Sequence, residues 1–228
     1  MDKTKEQWRQ ECGGESDLLG AGKIAEAVRR IEAYRQCRQL FVAPAPALAQ
    51  IRINALLDGK ELIVPGPSLK EGFYLLRPFQ VPFTKLGLAV SLKGLPLHGQ
   101  LLGHQEVSQL AIELLVTDAL AVDARGNCLG DGNGFFDLAC AILNQCGALV
   151  EAPLILAAGV ILEPESLPVD SWDVRVHALI GPQGGKFFSP GICLPDIDWQ
   201  QLSRQRIKKM TPLWKEWERA GSPEVGGA

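Results

Sequence analysis

A glycine-rich loop carries the residues of this chain that are best suited to chemistry. Glycines alternate with polar residues at Gly130, Asp131, Gly132, Asn133 and Gly134. Glycine lets backbone amides approach a ligand closely and permits positive φ angles. If such a loop begins a helix, the free amides of the first turn favour an anion such as phosphate. The spacing fits neither the Walker pattern nor the dinucleotide fingerprint, so a turn that uses glycines only for its geometry is the alternative.

The segments on either side of the loop have the patterns of a strand and a helix. The apolar run over residues 112–122 is rich in branched side chains and ends at Asp123 in a short turn. After the loop, Phe135 and Phe136 precede Asp137, and residues 138–143 have apolar residues at helical spacing. The sequence therefore predicts the order strand, glycine-rich loop, helix.

This order of residues resembles the signature of the 5-formyltetrahydrofolate cyclo-ligases. In that family an apolar strand ending in aspartate leads to a Leu-Gly-x-Gly-x-Gly-aromatic-aromatic-Asp loop, which residues 129–137 match. Residues 51–62 and the helix after the loop resemble the divergent cyclo-ligase-like branch, which has no assigned reaction. The resemblance extends over most of residues 5–180. It implies a three-layer α/β fold with a mainly parallel, Rossmann-like sheet of the NagB/RpiA/CoA-transferase-like type.

The resemblance also implies a reaction and its cofactors. Cyclo-ligases use ATP with Mg²⁺ to phosphorylate the formyl oxygen of 5-formyltetrahydrofolate, and a neighbouring nitrogen then displaces phosphate to close the methenyl ring. By this resemblance Asp137 caps the helix or holds magnesium through water, and Lys5 and Arg9 reach the phosphates from a basic N-terminal helix. An ordinary solvated helix face is the alternative for Lys5 and Arg9. The predicted cofactor-binding residues are Lys5, Arg9, Gly130, Asp131, Gly132, Asn133, Gly134, Phe135 and Asp137.

The chain departs from the family pattern at two points. The enzymes carry a Glu-Val-x-Thr segment that helps to hold the folate, whereas residues 45–48 read Ala-Pro-Ala-Leu here and offer no acceptor. An unpaired polar edge costs a ligand about 1–3 kcal/mol. Asp131 stands where the enzymes usually have an aromatic or basic residue, and its carboxylate repels phosphate unless a cation intervenes.

A strand, a helix and a second strand are predicted at residues 40–43, 47–57 and 61–65. Short joints of this kind indicate a parallel crossover unit. Ligand sites of parallel sheets lie beyond one edge of the strands, so Arg52 and Lys60 are the predicted catalytic residues. For each of them, a surface cation is an equal alternative.

Residues 66–111 are cut by proline and glycine into short pieces, with strand candidates at 72–76 and 88–92. His98 and His104 fall in this region, and either can act as an acid or base because the free pKa of histidine lies near neutrality. Pairing with a neighbour is the more common role of such histidines. His177 is expected to have a structural partner.

Further elements are predicted from periodicity and turn residues. They are a helix at 21–37, a buried strand at 153–161, a strand at 174–180, a loop at 181–186, a C-terminal helix capped by Asp198 and interrupted at Pro212, and a disordered tail from Gly221. Tryptophans in the last helix predict docking onto the core or onto a second subunit, as in a homodimer. The predicted domains are residues 1–195, the α/β domain, and 196–228, the C-terminal helix and tail.

Composition narrows the possible functions. The 228 residues carry a formal net charge of −3, which predicts no nucleic-acid partner. No apolar stretch reads as a membrane span or a signal peptide, so the chain is expected to be cytoplasmic. The six cysteines contain no Cys-x-x-Cys pair, which predicts reduced thiols and no metal–thiolate site.

Two function hypotheses follow from these observations. The first is an ATP- and Mg²⁺-dependent ligase of folate one-carbon metabolism, with a small molecule, folate or another metabolite, as substrate. The second is a non-catalytic or differently specific protein that binds a nucleotide or phosphorylated metabolite on the same scaffold.

Overall fold

The computed structural model describes residues 3–12, 20–189, 194 and 196–226. The strands in this part of the chain are β1 (Gln39–Val42), β2 (Glu61–Pro65), β3 (Phe73–Leu76), β4 (Gln100–Leu101), β5 (Ile112–Thr117), β6 (Ala121–Val122), β7 (Cys128–Leu129), β8 (Leu149–Ala158), β9 (Ala178–Gly181) and β10 (Gly184–Phe187). Eight of them form one sheet in the order β10-β9-β8-β5-β1-β2-β3-β4, while β6 and β7 form a separate short ribbon.

The centre of the sheet is parallel and its borders are antiparallel. Strand β1 pairs in parallel with both β2 and β5, and β8 pairs in parallel with β5 and β9. Strands β3, β4 and β10 are antiparallel to their neighbours. The mainly parallel α/β class that the sequence predicts is therefore confirmed.

Helices cover this sheet, and short 3₁₀ turns lie at Pro46–Leu48, Pro67–Leu69, Phe83–Lys85 and Trp199–Gln201. The α-helices are α1 (Lys5–Cys12), α2 (Ala21–Arg30), α3 (Glu32–Gln36), α4 (Ala49–Leu57), α5 (Leu86–Ala89), α6 (Leu95–His98), α7 (His104–Val107), α8 (Phe135–Gln145), α9 (Arg204–Lys209) and α10 (Thr211–Arg219). Helix α2 contacts α4 and β9, and α10 contacts α8 and α9.

The central strands are buried on both faces. Leu40, Phe41 and Val42 of β1 and Leu114 and Leu115 of β5 are fully inaccessible to solvent. This accounts for their continuous apolar sequence, since helices cover both faces of a parallel sheet. The carboxyl ends of β1, β2, β5 and β8 meet at one edge, where open α/β sheets bind ligands.

Several predicted elements differ in the structure. Residues 88–92 form the end of α5 and a turn rather than a strand, because a short apolar run does not distinguish helix from strand. The predicted helix over 21–37 is divided at Ile31, whose ψ of 135° is extended. The strand predicted at 174–180 begins only at Ala178, and residues 181–186, predicted as loop, contain the turn of the β9–β10 hairpin.

The C-terminal region also differs from the prediction. Asp198 caps a 3₁₀ turn through Gln200, whereas Ser203 caps α9. The interruption before Pro212 is confirmed, since α9 ends at Lys209 and α10 begins at Thr211. The tail prediction is wrong for residues 221–226, because the Trp217 indole donates to the Pro223 carbonyl at 3.0 Å. The domain boundary at residue 195 stays a prediction, although Leu213 and Trp217 pack into the common core.

Candidate functional site

The glycine-rich loop lies at the carboxyl edge of the sheet and is held there by a buried turn. The carboxylate of Asp123, which is 1% exposed, accepts hydrogen bonds from the amides of Arg125, Asn127 and Leu167. These bonds fix the β6–β7 ribbon, whose second strand ends directly before Gly130. In the loop, Gly132 and Gly134 have φ angles of 93° and 64°. Only glycine adopts these angles without strain, so the alternation of glycines has a geometric cause.

Helix α1 lies against this loop. The Arg9 side chain donates from Nε to the Gly130 carbonyl at 3.1 Å. A Cβ atom at Gly132 would lie 3.1 Å from the Arg9 guanidinium carbon, so a side chain there would have to displace the Arg9 guanidinium. Lys5, one helical turn earlier, contacts Asp173 and donates to Asp170 at 2.6 Å. The structure thus brings Lys5 and Arg9 to the loop from a distant part of the sequence.

The carboxylates of Asp137, Asp170 and Asp173 lie on the Lys5 side of the loop and influence one another's charge and that of Lys5. Burial lowers the pKa of Lys5, but its hydrogen bonds to Asp170 and Asp173 outweigh burial and raise it above the ordinary value. Burial also raises the pKa of Asp137, Asp173 raises it further, and a hydrogen bond from the Val174 amide opposes both. A charged Asp137 therefore gains from a nearby cation, either Lys5 or a metal ion.

Asp137 does not cap α8. Gly134 occupies the cap position, and the Asp137 Oδ1 atom accepts instead from the Val174 amide at 3.0 Å. The sequence prediction of a helix cap at Asp137 is therefore wrong. The magnesium role of Asp137 stays a prediction.

A cavity of ≈380 Å³ lies between α1, the loop and the C-terminal segment. Arg206 of α9 enters from the C-terminal side and donates to the Asn133 carbonyl. Arg206, Asp170 and Asp173 were not identified from the sequence, because no local pattern marks them and their role follows from tertiary packing alone. The cavity is lined by all nine predicted cofactor-binding residues and, among others, by Asp170, Asp173 and Arg206.

The loop partly satisfies its own hydrogen-bonding groups. Asp131 accepts from the Asn133 backbone amide at 2.9 Å and from the Asn133 side-chain amide at 2.7 Å. One loop amide that could bind an anion is therefore directed at a carboxylate of the same loop.

A second cavity, of ≈370 Å³, lies on the other side of the loop. Gly130, Asp131, Phe135 and Phe136 line both cavities. Pro44, Ala45, Leu69 and Leu92 are among the residues that make most of the second wall apolar. The stretch that contributes Pro44 and Ala45 continues to Leu48, and residues 45–48 are where the sequence lacks the folate-holding motif. The two cavities form two adjoining compartments divided by the loop.

Asp118, at the end of β5, lines this second cavity and was not identified from the sequence. Asp118 is exposed, but the surrounding protein displaces enough water from its carboxyl group to raise its pKa. Asp131 raises the pKa further and Arg52 lowers it. The missed signal was an aspartate directly after a buried strand, at the edge where ligands bind.

Arg52 is placed in the protein interior. It is 2% exposed and donates to the carbonyls of Val90, Ala43 and Ala45. Burial lowers its pKa to about 10, and Asp118 opposes this shift. The prediction of a catalytic Arg52 facing the crevice is corrected, because its guanidinium is used to fix the segment that forms the second cavity.

Lys60 lies at the opposite edge of the sheet. It precedes β2, and its ammonium group donates to the carbonyls of Cys37 at 2.8 Å and Arg35 at 3.3 Å, ahead of β1. It also lies 4.8 Å from the centre of the Tyr34 ring. The prediction of a catalytic Lys60 is therefore wrong, because both strands enter the sheet at this edge while the loop is at the edge where they leave it.

The histidines have separate environments. The Ile155 amide donates to His177 Nδ1 at 3.0 Å, which confirms the structural partner expected for His177. His104 contacts Cys146, Glu216 and Arg219, away from both cavities. In the part of the chain that the structure describes, no helix has the length and apolar character needed to cross a membrane.

Comparison with known proteins gives one consistent result. The model of the 5-formyltetrahydrofolate cyclo-ligase family matches residues 4–182. The chain is 25% identical over 206 residues to a methenyltetrahydrofolate synthase domain-containing protein of Bos taurus, covering 86% of this chain and 53% of that protein. The Homo sapiens protein of the same name is 24% identical, with coverages of 86% and 52%. The chain thus spans about half the length of these relatives.

A solved structure has the same fold. The 5,10-methenyltetrahydrofolate synthetase of Aquifex aeolicus superimposes with a TM-score of 0.54 at 19% identity, covering 85% of this chain and 97% of that one. The sequence resemblance described above is confirmed by the family match.

Proposed function

Because the chain belongs to the 5-formyltetrahydrofolate cyclo-ligase family, we propose that it catalyses an ATP- and Mg²⁺-dependent reaction of the cyclo-ligase type. The substrate is 5-formyltetrahydrofolate or a close analogue, and the product contains a methenyl bridge. The observation that carries this proposal is the pair of cavities that adjoin at Gly130 and Phe136. A two-substrate ligase requires such an arrangement, because the phosphoryl donor and acceptor must meet at one boundary.

The first cavity has the donor set that a magnesium nucleotide needs. Lys5, Arg9 and Arg206 supply positive charge around the loop, and the carboxylates of Asp137 and Asp173 are the oxygen ligands that Mg²⁺ prefers. When bound, ATP supplies the phosphoryl group that makes the formyl oxygen a leaving group. The residues of this chain hold and neutralise the phosphates, which is the main requirement of phosphoryl-transfer catalysis.

The second cavity suits a flat aromatic ring with polar edges. Phe135 and Phe136 provide ring faces, and the proline-rich segment at 43–46 provides an apolar wall. Asp118 supplies a carboxylate beside the segment that lacks the family's Glu-Val-x-Thr motif. A carboxylate can accept hydrogen bonds from ring amines, so Asp118 takes over the acceptor role that the altered segment lost.

A second function is favoured by one specific contact. Asp131 occupies the Asn133 amide and adds negative charge to the loop. A protein that binds a nucleotide or phosphorylated metabolite without transferring phosphate needs fewer free amides than a ligase. Such a protein would keep the fold and the cationic cavity but would not transfer phosphate.

The deciding experiment is single-turnover absorbance of the methenyl chromophore. The purified protein is mixed with 5-formyltetrahydrofolate, ATP and magnesium, beside a Gly132→Glu variant. The substitution forces a side chain into a position with φ of 93° against Arg9, and so obstructs the phosphate side. Gly22→Glu is the matched control, because a side chain at this exposed position of α2 would meet no atom within 4 Å.

We expect product from the wild type and from Gly22→Glu, and none from Gly132→Glu. Absence of product from the wild type, with ATP still raising its melting temperature, would favour the binding function. No response of the wild type to either ligand would reject both functions.

A further inference from the structure

Three side chains of different types meet where α7, the residue after α8 and α10 come together, outside the two cavities. His104 Nδ1 lies 3.0 Å from Glu216 Oε1. Cys146 Sγ lies 3.4 Å from the same oxygen and 3.8 Å from His104 Nδ1. We propose that His104, Cys146 and Glu216 form a binding site for one Zn²⁺ ion.

The spacing of the three donor atoms is that of a tetrahedral zinc site. Zinc bonds of about 2.3 Å to sulfur, 2.05 Å to nitrogen and 2.0 Å to oxygen, at tetrahedral angles, separate the ligand atoms by about 3.3 Å for N–O, 3.5 Å for S–O and 3.6 Å for S–N. The observed distances of 3.0, 3.4 and 3.8 Å differ from these by only a few tenths of an ångström. The three donor atoms are therefore already close to the separations of a liganded site.

The chemistry of the donors selects the metal. A thiolate and an imidazole favour zinc over magnesium or calcium, which prefer all-oxygen sites. Three protein ligands leave a fourth position for a water molecule. A cavity of ≈20 Å³ adjoins the three side chains, and one water needs about 10–15 Å³ of such space. The surroundings therefore have room for a complete coordination shell.

Glu216 is the buried anionic ligand of the proposed site. Glu216 is 2% exposed, and a buried carboxylate requires compensation by charge or hydrogen bonds. Its neighbours in the described part of the chain are a neutral thiol, an imidazole and Arg219, whose nearest nitrogen is 3.7 Å away. A divalent ion at the centre would contact the carboxylate directly.

Binding releases one proton. Arg219 is a donor only, so its contact with His104 Nε2 requires that nitrogen to accept and Nδ1 to carry the proton towards Glu216. When Nδ1 binds Zn²⁺, the imidazole proton moves to Nε2 and Arg219 must leave it. The Arg219 side chain is 57% exposed and is free to turn outward. The released proton comes from the Cys146 thiol.

Cys146 would bind the metal as a thiolate, and coordination to the ion stabilises this charged form. Lys215 and Glu71 also line the adjoining cavity, and their opposite charges frame the site without supplying a ligand.

The site would tie the C-terminal helices to the α/β domain. Cys146 follows α8, His104 begins α7, and Glu216 lies in the middle of α10. Helix α10 packs on α9, which carries Arg206 to the loop. The lack of a Cys-x-x-Cys pair predicted no metal–thiolate site. The three proposed ligands lie far apart in the chain, and only folding brings them together.

The test uses cobalt as a spectroscopic probe and zinc as the competitor. The full chain, freed of metal by a chelator, is titrated with Co²⁺. We expect a thiolate-to-metal charge-transfer band and the intense visible bands of tetrahedral cobalt at one equivalent. Added Zn²⁺ should remove both. In the wild type, Zn²⁺ should also slow alkylation of Cys146 selectively, as read from the modified peptides by mass spectrometry.

Variants separate this site from adventitious binding. Cys146→Ser should weaken Zn²⁺ binding by at least about 100-fold and abolish the charge-transfer band, whereas Cys12→Ser, a thiol on α1, should leave both unchanged. Arg219→Ala should tighten binding by about threefold or more, because it removes a positive charge and a competitor for Nε2. Circular dichroism of the metal-free variants establishes that each is folded.

Three results would overturn the proposal. They are a cobalt spectrum without a thiolate band, zinc binding that survives Cys146→Ser, and alkylation of Cys146 that zinc does not slow. The alkylation measurement needs only the wild type, so the proposal remains testable if Cys146→Ser does not fold.

Discussion

The carboxylate of Asp131 accepts hydrogen bonds from both the backbone amide and the side-chain amide of Asn133, at 2.9 and 2.7 Å. The loop therefore carries an anion of its own at the position where its amides would otherwise face a phosphate. Arg9 and Arg206 approach the same loop through the carbonyls of Gly130 and Asn133. Phosphate affinity is set by the balance between these cations and Asp131.

Asp131→Asn should strengthen nucleotide binding. The substitution keeps an oxygen that can accept from Asn133 but removes the negative charge, so we expect about fivefold to tenfold tighter ATP binding. Isothermal titration in low salt measures the change. Glu163→Gln is the control, because it neutralises an exposed carboxylate that lines neither loop cavity. Unchanged or weaker affinity in Asp131→Asn would contradict this account of the loop.

Lys5→Gln should lower both stability and phosphate affinity. Lys5 is 19% exposed and joins Asp170 and Asp173, so its loss leaves two carboxylates without their cation and costs about 2 kcal/mol of unfolding free energy. Lys3→Gln removes the exposed pair with Glu11 and should change the unfolding free energy by less than about 0.5 kcal/mol. Urea unfolding measures both.

The stability difference between the wild type and Lys5→Gln should change with pH in a defined direction. The pKa of Lys5 is raised in the folded protein, so its contribution is fully present below the ordinary value of 10.5 and is lost as pH rises through the folded value. The stability difference between wild type and Lys5→Gln should stay constant from neutral pH to about pH 9 and shrink above 10.5. A difference that disappears at lower pH would mean that another group is responsible.

Asp118→Asn should raise the stability of the protein but weaken its binding of substrate. The pKa of Asp118 is raised, which means that folding disfavours its charged form. The asparagine variant should therefore melt at a higher temperature near neutral pH. This gain should fade as pH falls to the ordinary value of 3.8 and below, because the carboxyl becomes protonated first in the folded state and then in the unfolded state.

Substrate recognition should change in the opposite direction. Loss of a charged acceptor for a ring amine should weaken binding of 5-formyltetrahydrofolate about 10-fold, as measured by fluorescence titration, with ATP binding unaffected. If folate affinity is unchanged, Asp118 does not serve the second cavity as proposed.

The sequence was sufficient to predict the local and the periodic features. The glycine-rich loop before α8 and the crossover from β1 to β2 follow from glycine spacing and apolar runs. The strand predicted over residues 112–122, however, is divided into β5 and β6. The convergence of Lys5 on the loop was inferred only through the resemblance to a family. Nothing in the residues near position 5 specifies a partner about 165 positions away.

The residue roles that were predicted wrongly or missed have a common physical cause. The contacts of a polar side chain depend on tertiary packing, which local sequence patterns do not show. Arg52 and Lys60 are cations at plausible positions, yet backbone carbonyls left unpaired at chain turns bind both of them. Arg206 was not identified because helical periodicity does not indicate which neighbour a long side chain reaches. Asp118 was overlooked because the apolar run over residues 112–122 was taken as one strand, whereas β5 ends at Thr117, directly before Asp118.

Lys60→Met should reduce stability without affecting the ligand site. Lys60 is 6% exposed, and its loss leaves the Cys37 carbonyl without a donor, so we expect a destabilisation of about 1–3 kcal/mol. The rise in melting temperature caused by saturating ATP should be the same as in the wild type. Arg9→Met makes the opposite comparison, because it removes a cation from the loop and should abolish most of that rise. Scanning calorimetry with and without ATP measures both quantities in one experiment. If folded Lys60→Met loses the ATP response while Arg9→Met retains it, the ligand site lies at the other edge of the sheet, where the strands begin.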